Sequence, residues 1–430
     1  MNPRVISAEP PSRLAEHRGR VAEIRRHARQ LFEGGATGIQ IAADIADAIN
    51  AFAVERLTDA LADNAPREAR RVEQNSALVA VGGSGRGEMA PHSDCDLLFL
   101  YRPAIRSLFE PCASSVVRDA WDAGIKLGHS LRTIAEAVNQ CRQDPHAATA
   151  LVESRLLFGD AALFDEYRWR CRRAAIHGRQ RAFIENCLAA RREEQGEHGA
   201  TVHQLEPDVK RSLGGLRDVH LIRWIGYALY DTADIESLRL QGALSKADAR
   251  SLLAAYEFLL RIRIDLHFAA GRLQDHLSRD EQRRIARERG IGGEQGLRPV
   301  ERFMQTYFRH SAAIAEIARR FVARHRPRPL SARILDAITT HRSDGLFKVG
   351  RQRIDVLSAH RDGICRQPKT LLKLYETGAL YGVELDPELR ESIRQHVADL
   401  PAEPPPEAVA TFLRILARPG HLGRTLRGMH

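Results

Sequence analysis

Glycine, serine and aspartate residues are concentrated between positions 79 and 100, in an order that could bind a nucleotide. An apolar run at residues 79–81 ends in Gly-Gly-Ser, and a polar loop leads to Asp94 and Asp96 at the head of a second apolar run. Because side chains alternate along a strand, we predict that both aspartates face one way and Cys95 faces into the sheet. Neighbouring carboxylates repel each other unless a cation lies between them. Mg²⁺ often takes one or two carboxylates together with substrate phosphates, so the sequence predicts a magnesium site here.

The glycine-serine turn is predicted to hold the phosphates. Glycines let backbone N–H groups approach a triphosphate closely, and a serine hydroxyl can add a donor. The candidate nucleotide-binding residues are Gly82, Gly83, Ser84, Arg86 and Arg132. Arg86 could offset charge on a leaving pyrophosphate or form a surface ion pair, and Arg132 could face either the nucleotide or solvent. Charged and proline residues follow the turn, which argues against a Rossmann nucleotide site, and a phosphate cradle beside a metal pair predicts nucleotidyl transfer.

The composition indicates a soluble globular protein with more than one domain. At 430 residues the chain is too long for one ordinary core, and its 43% hydrophobic and 28% charged residues are typical of soluble proteins. The net charge of +10 is compatible with an electropositive cleft for a triphosphate or an acidic partner, and equally with a solvated surface. Aromatic residues make up only 6% and are not interleaved with basic runs, which argues against nucleic-acid binding.

Cysteine usage and the N-terminus indicate a reducing compartment. The six cysteines form no Cys-x-x-Cys pair, so the sequence predicts neither a disulfide framework nor a zinc site. The N-terminus carries no apolar signal segment, and no apolar run reaches the length of a membrane span. We therefore expect a cytoplasmic protein without a membrane partner.

Hydrophobic periodicity predicts an α+β fold, in which a small mixed sheet backed by helices is followed by a mostly α-helical bundle. The predicted strands are residues 76–81, 94–101 and 125–131, whereas residues 147–186 are predicted to be helical throughout. Pro327 and Pro329 mark the end of the bundle. The predicted segments are N-terminal helices that pack on the catalytic domain (1–70), a nucleotidyltransferase domain (71–200), a helical bundle that closes over the substrates (201–326) and a mostly helical region with a short hairpin (327–430).

A second group of charged residues lies between positions 203 and 220. It contains Glu206, Asp208 and Asp218, and its two glycines at 214 and 215 open a predicted helix. Free N–H groups at the start of a helix favour a phosphate or a carboxylate. The alternative is an ordinary helix start without a ligand.

Both segments resemble a known family. The order strand, Gly-Gly-Ser, loop, Asp-x-Asp, strand resembles the signature of the DNA polymerase β-like nucleotidyltransferases. Gly-Gly-Ser-Gly-Arg-Gly-Glu (82–88), Ser-Asp-Cys-Asp-Leu-Leu (93–98) and Leu-Glu-Pro-Asp-Val-Lys (205–210) resemble the bacterial PII-protein uridylyltransferases. Shorter matches extend this resemblance over nearly the whole chain. The glutamine synthetase adenylyltransferases are similar in architecture but match less well.

The resemblance implies transfer of UMP from UTP to a tyrosine of the nitrogen-regulatory protein PII, with release of pyrophosphate. Asp94 and Asp96 would be the catalytic residues and would hold two Mg²⁺ ions. The superfamily generally adds a carboxylate from the third strand, where this sequence has none. Asp218 and Glu206 are the candidates for that ligand, with Glu153 behind them, and each could equally cap a helix or form an ion pair.

The sequence departs from the family in two respects. Family members typically continue into an HD hydrolase domain that removes UMP and two ACT domains that sense glutamine, and this sequence contains no His-Asp dipeptide. No UMP-removing activity is therefore expected from it. Ser84 stands where the family usually has tyrosine, which catalysis should tolerate because the wider superfamily often has serine there.

Two other functions stay open at this point. One is transfer of another nucleotide such as AMP, as in the related adenylyltransferases, because no residue of the sequence identifies the base. The other is a catalytically weak or inactive module that binds nucleotide or PII. The sequence leaves open the base specificity, the third metal ligand and the oligomeric state. It also leaves open whether the chain is active without the further domains and whether His430 is a natural end.

Overall fold

The polypeptide separates into two units in the computed structural model, Met1–Phe321 and Val322–His430. The described residues are 13–293, 296–326, 341–343, 345–350, 353–357, 361–364, 366–417 and 422–429. Every candidate site residue lies in the first unit. Pro327 and Pro329, which were predicted to mark the end of the bundle, lie outside the described residues.

A small mixed sheet positions the candidate site, and the fold is α+β as predicted. Its strands are β1 (Ser76–Val81), β2 (Cys95–Tyr101), β3 (Leu127–Arg132) and β4 (Arg155–Gly159), in the order β3-β2-β1-β4. Strand β1 pairs antiparallel with β2 and with β4, whereas β2 and β3 run parallel. The continuous apolar composition of β1 and β2 follows from their burial on both faces.

Helices that precede and connect the strands enclose this sheet. Helices α2 (Gly38–Asn64) and α5 (Arg106–Asp122) share its apolar core, which includes Ile45, Phe99 and Phe109. Helix α2 begins at a capping box, in which the Thr37 side chain accepts from the Gln40 backbone and the Gln40 side chain accepts from the Thr37 backbone. The helices are α1 (Arg13–Glu33), α2 (Gly38–Asn64), α3 (Ala69–Glu73), α4 (Gly82–Arg86), α5 (Arg106–Asp122), α6 (Ile134–Gln143), α7 (Pro145–Val152) and α8 (Ala161–Ala175).

The rest of the first unit is a helical bundle that contacts the sheet region. Its helices are α9 (Gln180–His198), α10 (Leu216–Tyr230), α11 (Ile235–Leu240), α12 (Lys246–Ala270), α13 (Arg279–Glu288) and α14 (Pro299–His325). Glu257 of α12 accepts from the backbone N–H groups of Gly38 (2.6 Å) and Ile39 (2.9 Å), so the bundle caps the first turn of α2. Among the described helices, none combines the length and apolar composition needed to cross a bilayer.

The second unit contains its own sheet and core. Its described strands are β5 (His341–Ser343), β6 (Phe347–Val349), β7 (Arg353–Val356) and β8 (Glu384–Leu385), in the order β5-β6-β7-β8. The predicted hairpin corresponds to the antiparallel pair β6 and β7. The described α-helices of this unit are Arg361–Ile364, Pro368–Tyr381, Pro387–His396, Pro406–Leu416 and Leu422–Met429.

The prediction that residues 147–186 are helical throughout is wrong, because β4 interrupts them. Its sequence Arg-Leu-Leu-Phe-Gly has neither the alternation nor the β-branched residues that indicate a strand, and pairing with β1 overrides its local preference. Strand β3 also begins two residues later than predicted and includes Arg132. The predicted turn after β1 contains a single helical turn, α4.

Candidate active site

Asp94 and Asp96 lie together at one edge of the sheet, where both line one concave surface. Cys95 between them is 1% exposed, and burial raises the pKa of its thiol to about 12. The alternation predicted for this segment is therefore present. Asp94 is exposed and Asp96 is half-buried.

Two glycines make room for the Asp96 carboxylate on the neighbouring strands. Asp96 pairs with Val81 of β1, which immediately precedes Gly82, and with Gly128 of β3. A Cβ atom at Gly82 would lie 2.8 Å from Asp96 Oδ2, and one at Gly128 would collide with Oδ1. Gly82 also has φ of +60°, a conformation that favours glycine. Both positions must therefore lack a side chain for this carboxylate to face the cleft.

The electrostatics of Asp96 favour a cation beside it. Burial raises the pKa of Asp96, the negative charge of Asp94 raises it further, and Lys210 and Arg86 oppose the rise. A divalent cation between the two aspartates would offset both the burial of the Asp96 charge and its repulsion from Asp94. Among the described residues no group of three His, Cys, Asp or Glu side chains is placed to hold a metal. Two carboxylates nevertheless fit Mg²⁺, whose shell is normally completed by water and substrate phosphates.

The loop before Asp94 is held by the sheet and by α12. The backbone N–H of Cys95 donates to Lys126 O at 2.8 Å, and that of His92 donates to His267 Nδ1 at 3.2 Å. Since a backbone N–H can only donate, the His267 proton is on Nε2, which faces Asp275 Oδ1 at 3.2 Å. Arg263 holds Asp275 in turn, with Nε 2.7 Å from Oδ1. Helix α12 thus fixes the backbone two residues from Asp94.

Ser84 has a different role from the one predicted for its hydroxyl. The side chain is fully buried, and Oγ donates to Val81 O at 3.0 Å and to Asp96 O at 3.1 Å. A hydroxyl has one proton, so this group fastens α4 to β1 and β2 and has none left for a phosphate. Gly82 lines the cleft, and the adjacent Gly83 accepts the backbone N–H of Glu88 at 2.8 Å.

Arg86 forms a buried ion-pair cluster, neither a surface pair nor an open phosphate ligand. Its guanidinium lies 2.9 Å from Glu88 Oε2 and 2.5 Å from Glu153 Oε1. Glu88 also contacts His220 Nε2 at 2.8 Å and forms a short contact with Arg223. Burial alone would raise the pKa of Glu88, but Arg223 and Arg86 hold it well below its usual range. The cluster joins the segment after α4 to α10.

Arg132 is not brought to the aspartates. It is the last residue of β3, four residues beyond Gly128, so its Cα is about 13 Å farther along the strand. Its charge instead adds to the lowering of two pKa values in α6: that of Glu136, which is lowered mainly by hydrogen bonds from Thr133, and that of Cys141, which is lowered mainly by a hydrogen bond with Cys171.

The two carboxylates predicted as a third metal ligand are used elsewhere. Asp218 is 2% exposed, lies 2.6 Å from Arg191 Nε and accepts from the Gly214 N–H at 2.7 Å. Glu206 accepts from the Arg279 N–H at 2.8 Å, at the start of α13. Both predictions are corrected, because a buried ion pair and a helix start account for these side chains.

Glu153 is the predicted carboxylate that the fold does place beside the aspartates. It lines the same cleft as Asp96, and its charge contributes to the raised pKa of Asp96. Its Oε1 contacts Arg86 and accepts the Trp224 indole N–H at 2.8 Å. Glu153 therefore belongs to the wall of the site and is already paired with a cation.

The cleft over Asp96 has a volume of about 690 Å³, within the range of small-molecule sites. Beyond the sheet edge its walls come from α7, α9 and α10, including Arg191, Arg217 and Trp224. The Arg217 guanidinium lies over the Trp224 ring at 5.8 Å and 3.3 Å from Glu194. These residues were missed by the sequence reasoning, although Arg217 belongs to the second charged segment that it identified.

Lys210, in the charged segment 203–220, is another residue near the site that the sequence reasoning did not identify. Burial, followed by the charge of Arg263, lowers the pKa of its ammonium to about 8. Its charge in turn opposes the rise in the pKa of Asp96 that burial and Asp94 cause. The ammonium itself forms no hydrogen bond or ion pair within the described part of the chain. A half-buried cation whose charge acts on Asp96 is suited to a phosphate oxygen.

Comparison with known proteins agrees with this geometry. Residues 182–322 match the model of the GlnD PII-uridylyltransferase family, and residues 22–136, which contain both aspartates, match the DUF294 nucleotidyltransferase family. The second match contains strands β1 to β3, and the first contains α10 and most of α9.

Three relatives carry the name bifunctional uridylyltransferase/uridylyl-removing enzyme. The one from Rhodospirillum rubrum is 33% identical over 336 residues, which are 77% of this chain and 36% of the relative. Those from Bradyrhizobium diazoefficiens and Cereibacter sphaeroides are 32% and 35% identical, over 80% and 85% of this chain and 38% and 39% of the relatives. The chain spans less than two fifths of the length of these relatives. It belongs to the PII-uridylyltransferase family and corresponds to the nucleotidyltransferase and helical regions of its members.

Proposed function

We propose that this chain transfers UMP from UTP to a tyrosine hydroxyl of a PII-type protein and releases pyrophosphate. The observation that carries the proposal is the pair Asp94 and Asp96: Asp96 lines the 690 Å³ cleft, both line an adjoining concave surface, and Gly82 and Gly128 clear the space around Asp96. The names of the relatives supply the class of reaction, uridylyl transfer.

Asp94 and Asp96 would hold the two predicted Mg²⁺ ions together with phosphate oxygens. Bound Mg²⁺ would supply neutralisation of phosphate charge and stabilisation of the attacking and leaving oxygens. Gly82 lets the backbone of α4 approach the phosphates closely. Arg217 lines the cleft and the positive charge of Lys210 acts on Asp96, so both would favour the negative charge of a triphosphate there.

Nucleotidyl transfer depends mainly on how the acceptor hydroxyl and the triphosphate are positioned. The phenolic oxygen of the acceptor forms a bond to the α-phosphorus, the bond from that phosphorus to the pyrophosphate oxygen breaks, and the phenolic proton is lost to solvent. In-line geometry requires the acceptor and the pyrophosphate to lie on opposite sides of the phosphorus. The rigid placement of Asp96 between β1 and β3 supports such positioning.

Labelled nucleotide transfer tests this function. The protein is incubated with a PII-type acceptor, Mg²⁺ and each of the four α-labelled nucleoside triphosphates in turn. Label from UTP alone should appear on the acceptor, and removal of Mg²⁺ by chelation should abolish it. Asp94→Asn and Asp96→Asn should each lose at least 100-fold in rate. Asp280→Asn, at a side chain that is 92% exposed on α13, should retain the wild-type rate.

A second candidate function is supported by the pairing of Glu153, the third carboxylate of the site, with Arg86 and Trp224, and no three described His, Cys, Asp or Glu side chains are grouped to hold a metal. In that case the chain would bind nucleotide or the PII-type protein without transferring UMP. Tight UTP binding with no labelled acceptor would establish this alternative, and label from ATP alone would instead indicate an adenylyltransferase. Either result would contradict the proposed uridylyl transfer.

A further inference from the structure

A second concave surface begins at the same aspartate and extends in another direction. This outer groove has a volume of about 510 Å³ and is lined by Asp94, Trp121, Lys126 and the start of β3. It shares Asp96 and Gly128 with the nucleotide cleft. The cleft continues toward α7, α9 and α10, whereas the outer groove continues toward the end of α5 and the loop that leads to β3.

Trp121 gives this groove a fixed aromatic wall. The residue is 57% exposed, although tryptophan is usually well buried. Its indole N–H donates to Leu127 O at 3.3 Å, and its ring meets the edge of His129 with centroids 6.0 Å apart. The ring is therefore held in place beside the aspartates while much of it faces solvent. Held, exposed aromatic side chains are the usual anchors of protein–protein contacts.

The arrangement of the two cavities indicates which substrate each receives. The attacking oxygen must approach the α-phosphorus opposite the leaving pyrophosphate, and both must lie near the same metal-binding carboxylates. A triphosphate in the cleft that Arg217 lines leaves the outer groove as the approach for the acceptor. A tyrosine ring is also matched to an indole, because aromatic pairs attract beyond the area they bury.

We propose that the outer groove receives the tyrosine-bearing segment of the protein acceptor and that Trp121 determines specificity for it. Trp121 packs against that segment and directs the phenolic oxygen toward Asp94 and Asp96. Lys126, which is exposed in the same groove, adds a positive charge for an acidic or carbonyl group of the segment. This inference rests on the proposed uridylyl transfer and assigns the acceptor side of that same site.

Steady-state kinetics of a Trp121→Ala variant test the assignment. Its KM for the PII-type acceptor should rise about tenfold or more, while its KM for UTP and the UTP dissociation constant from calorimetry should stay within twofold of wild type. Trp121→Phe should recover most of the acceptor affinity, because it keeps an aromatic face. Trp169→Ala is the matched control: this residue is 60% exposed on α8, lies against Arg173 at 5.3 Å and lines neither cavity.

Each outcome bears on a separate claim. Wild-type transfer together with an unchanged acceptor KM in Trp121→Ala would overturn the acceptor groove and leave the proposed function intact. A rise in the KM for UTP instead would assign the groove to the nucleotide and overturn the proposal. Wild-type protein that transfers no UMP would remove the proposed function, and the acceptor assignment with it.

Discussion

The carboxylate of Asp96 lies between two positions that have no side chain. The local sequence predicts that the Asp94 and Asp96 side chains lie on the same face of the strand, because the alternation of side chains depends only on neighbouring residues. It also identifies Gly82, which is in the adjoining turn. Gly128 is different, since only the parallel register of β2 and β3 brings it beside Asp96. The buried pairing of Arg86 with Glu153 was unpredictable for the same reason: the partner comes from a distant part of the chain.

Gly128→Ala should reduce activity without unfolding the protein. The new Cβ would collide with Asp96 Oδ1, so the carboxylate must turn away from the metal position. We expect a 10- to 100-fold loss of UMP transfer, the order of effect seen when the surroundings of a metal ligand change. The Mg²⁺ concentration for half-maximal activity should rise in parallel, which a titration of rate against Mg²⁺ would measure.

Gly19→Ala provides the matched control for this change. Gly19 lies in α1, and a Cβ there would meet nothing within 4 Å. Alanine favours the helix by up to about 1 kcal/mol, so activity should be unchanged and stability equal or higher. Full activity of Gly128→Ala at wild-type Mg²⁺ concentrations would mean that Asp96 does not need its observed orientation.

Among the elements, long periodic helices, strongly apolar strands and the short hairpin of the second unit could be predicted, whereas the short strand β4 and the single-turn helix α4 could not. Strand β4 has five residues and lies between helical patterns, so only its pairing with β1 makes it a strand. Helix α12 lies in the segment 201–326 that was predicted to be a helical bundle, but its action on the loop before Asp94 was not predicted. That action depends on the contact of His267 with the His92 backbone, which the sequence separates by 175 residues.

Removal of the His267 side chain should loosen the loop that carries Asp94. His267→Ala leaves the His92 N–H without its acceptor and Asp275 without one of its donors. We expect the free energy of unfolding to fall by about 1–3 kcal/mol. All three tryptophans (121, 169 and 224) belong to the first unit, so their fluorescence during urea unfolding reports on that unit.

The same variant should also need more Mg²⁺ for half-maximal transfer, because Asp94 is less well held. His27→Ala is its control, since that side chain is 53% exposed and lies 3.8 Å from Asp44. His27→Ala should change the unfolding free energy by no more than about 0.5 kcal/mol and should leave the Mg²⁺ requirement unchanged. Equal Mg²⁺ requirements in His267→Ala and wild type would show that α12 does not position Asp94.

For the whole first unit, a buried charge cluster joins the sheet to the helical bundle. Glu88 follows α4, whereas its partners His220 and Arg223 are on α10, 132 and 135 residues away. The composition gave a net charge of +10 but could not say which arginines are buried and paired. Such pairs matter because a buried charge that loses its partner is costly. The site lies at this junction, so the cluster holds both of its walls.

Glu88→Gln should therefore destabilise the first unit strongly. The change leaves the buried guanidinium groups of Arg86 and Arg223 without their shared carboxylate. We expect a loss of about 3–5 kcal/mol at pH 7 in urea unfolding followed by tryptophan fluorescence. Glu73→Gln, at an exposed position in α3, should change the value by no more than about 0.5 kcal/mol.

The difference in unfolding free energy between wild type and Glu88→Gln should become smaller as the pH falls. Arg223 and Arg86 hold the pKa of Glu88 below its ordinary value of 4.5 in the folded protein, so ionised Glu88 stabilises the fold fully above pH 4.5. As the pH falls below 4.5, the unfolded chain takes up a proton that the folded protein does not, and this stabilisation is lost. The difference in unfolding free energy between the two proteins should therefore be constant from pH 6 to 8 and decrease toward pH 3. A gap that stayed constant down to pH 3 would mean that the carboxylate charge of Glu88 does not hold α10 against the sheet.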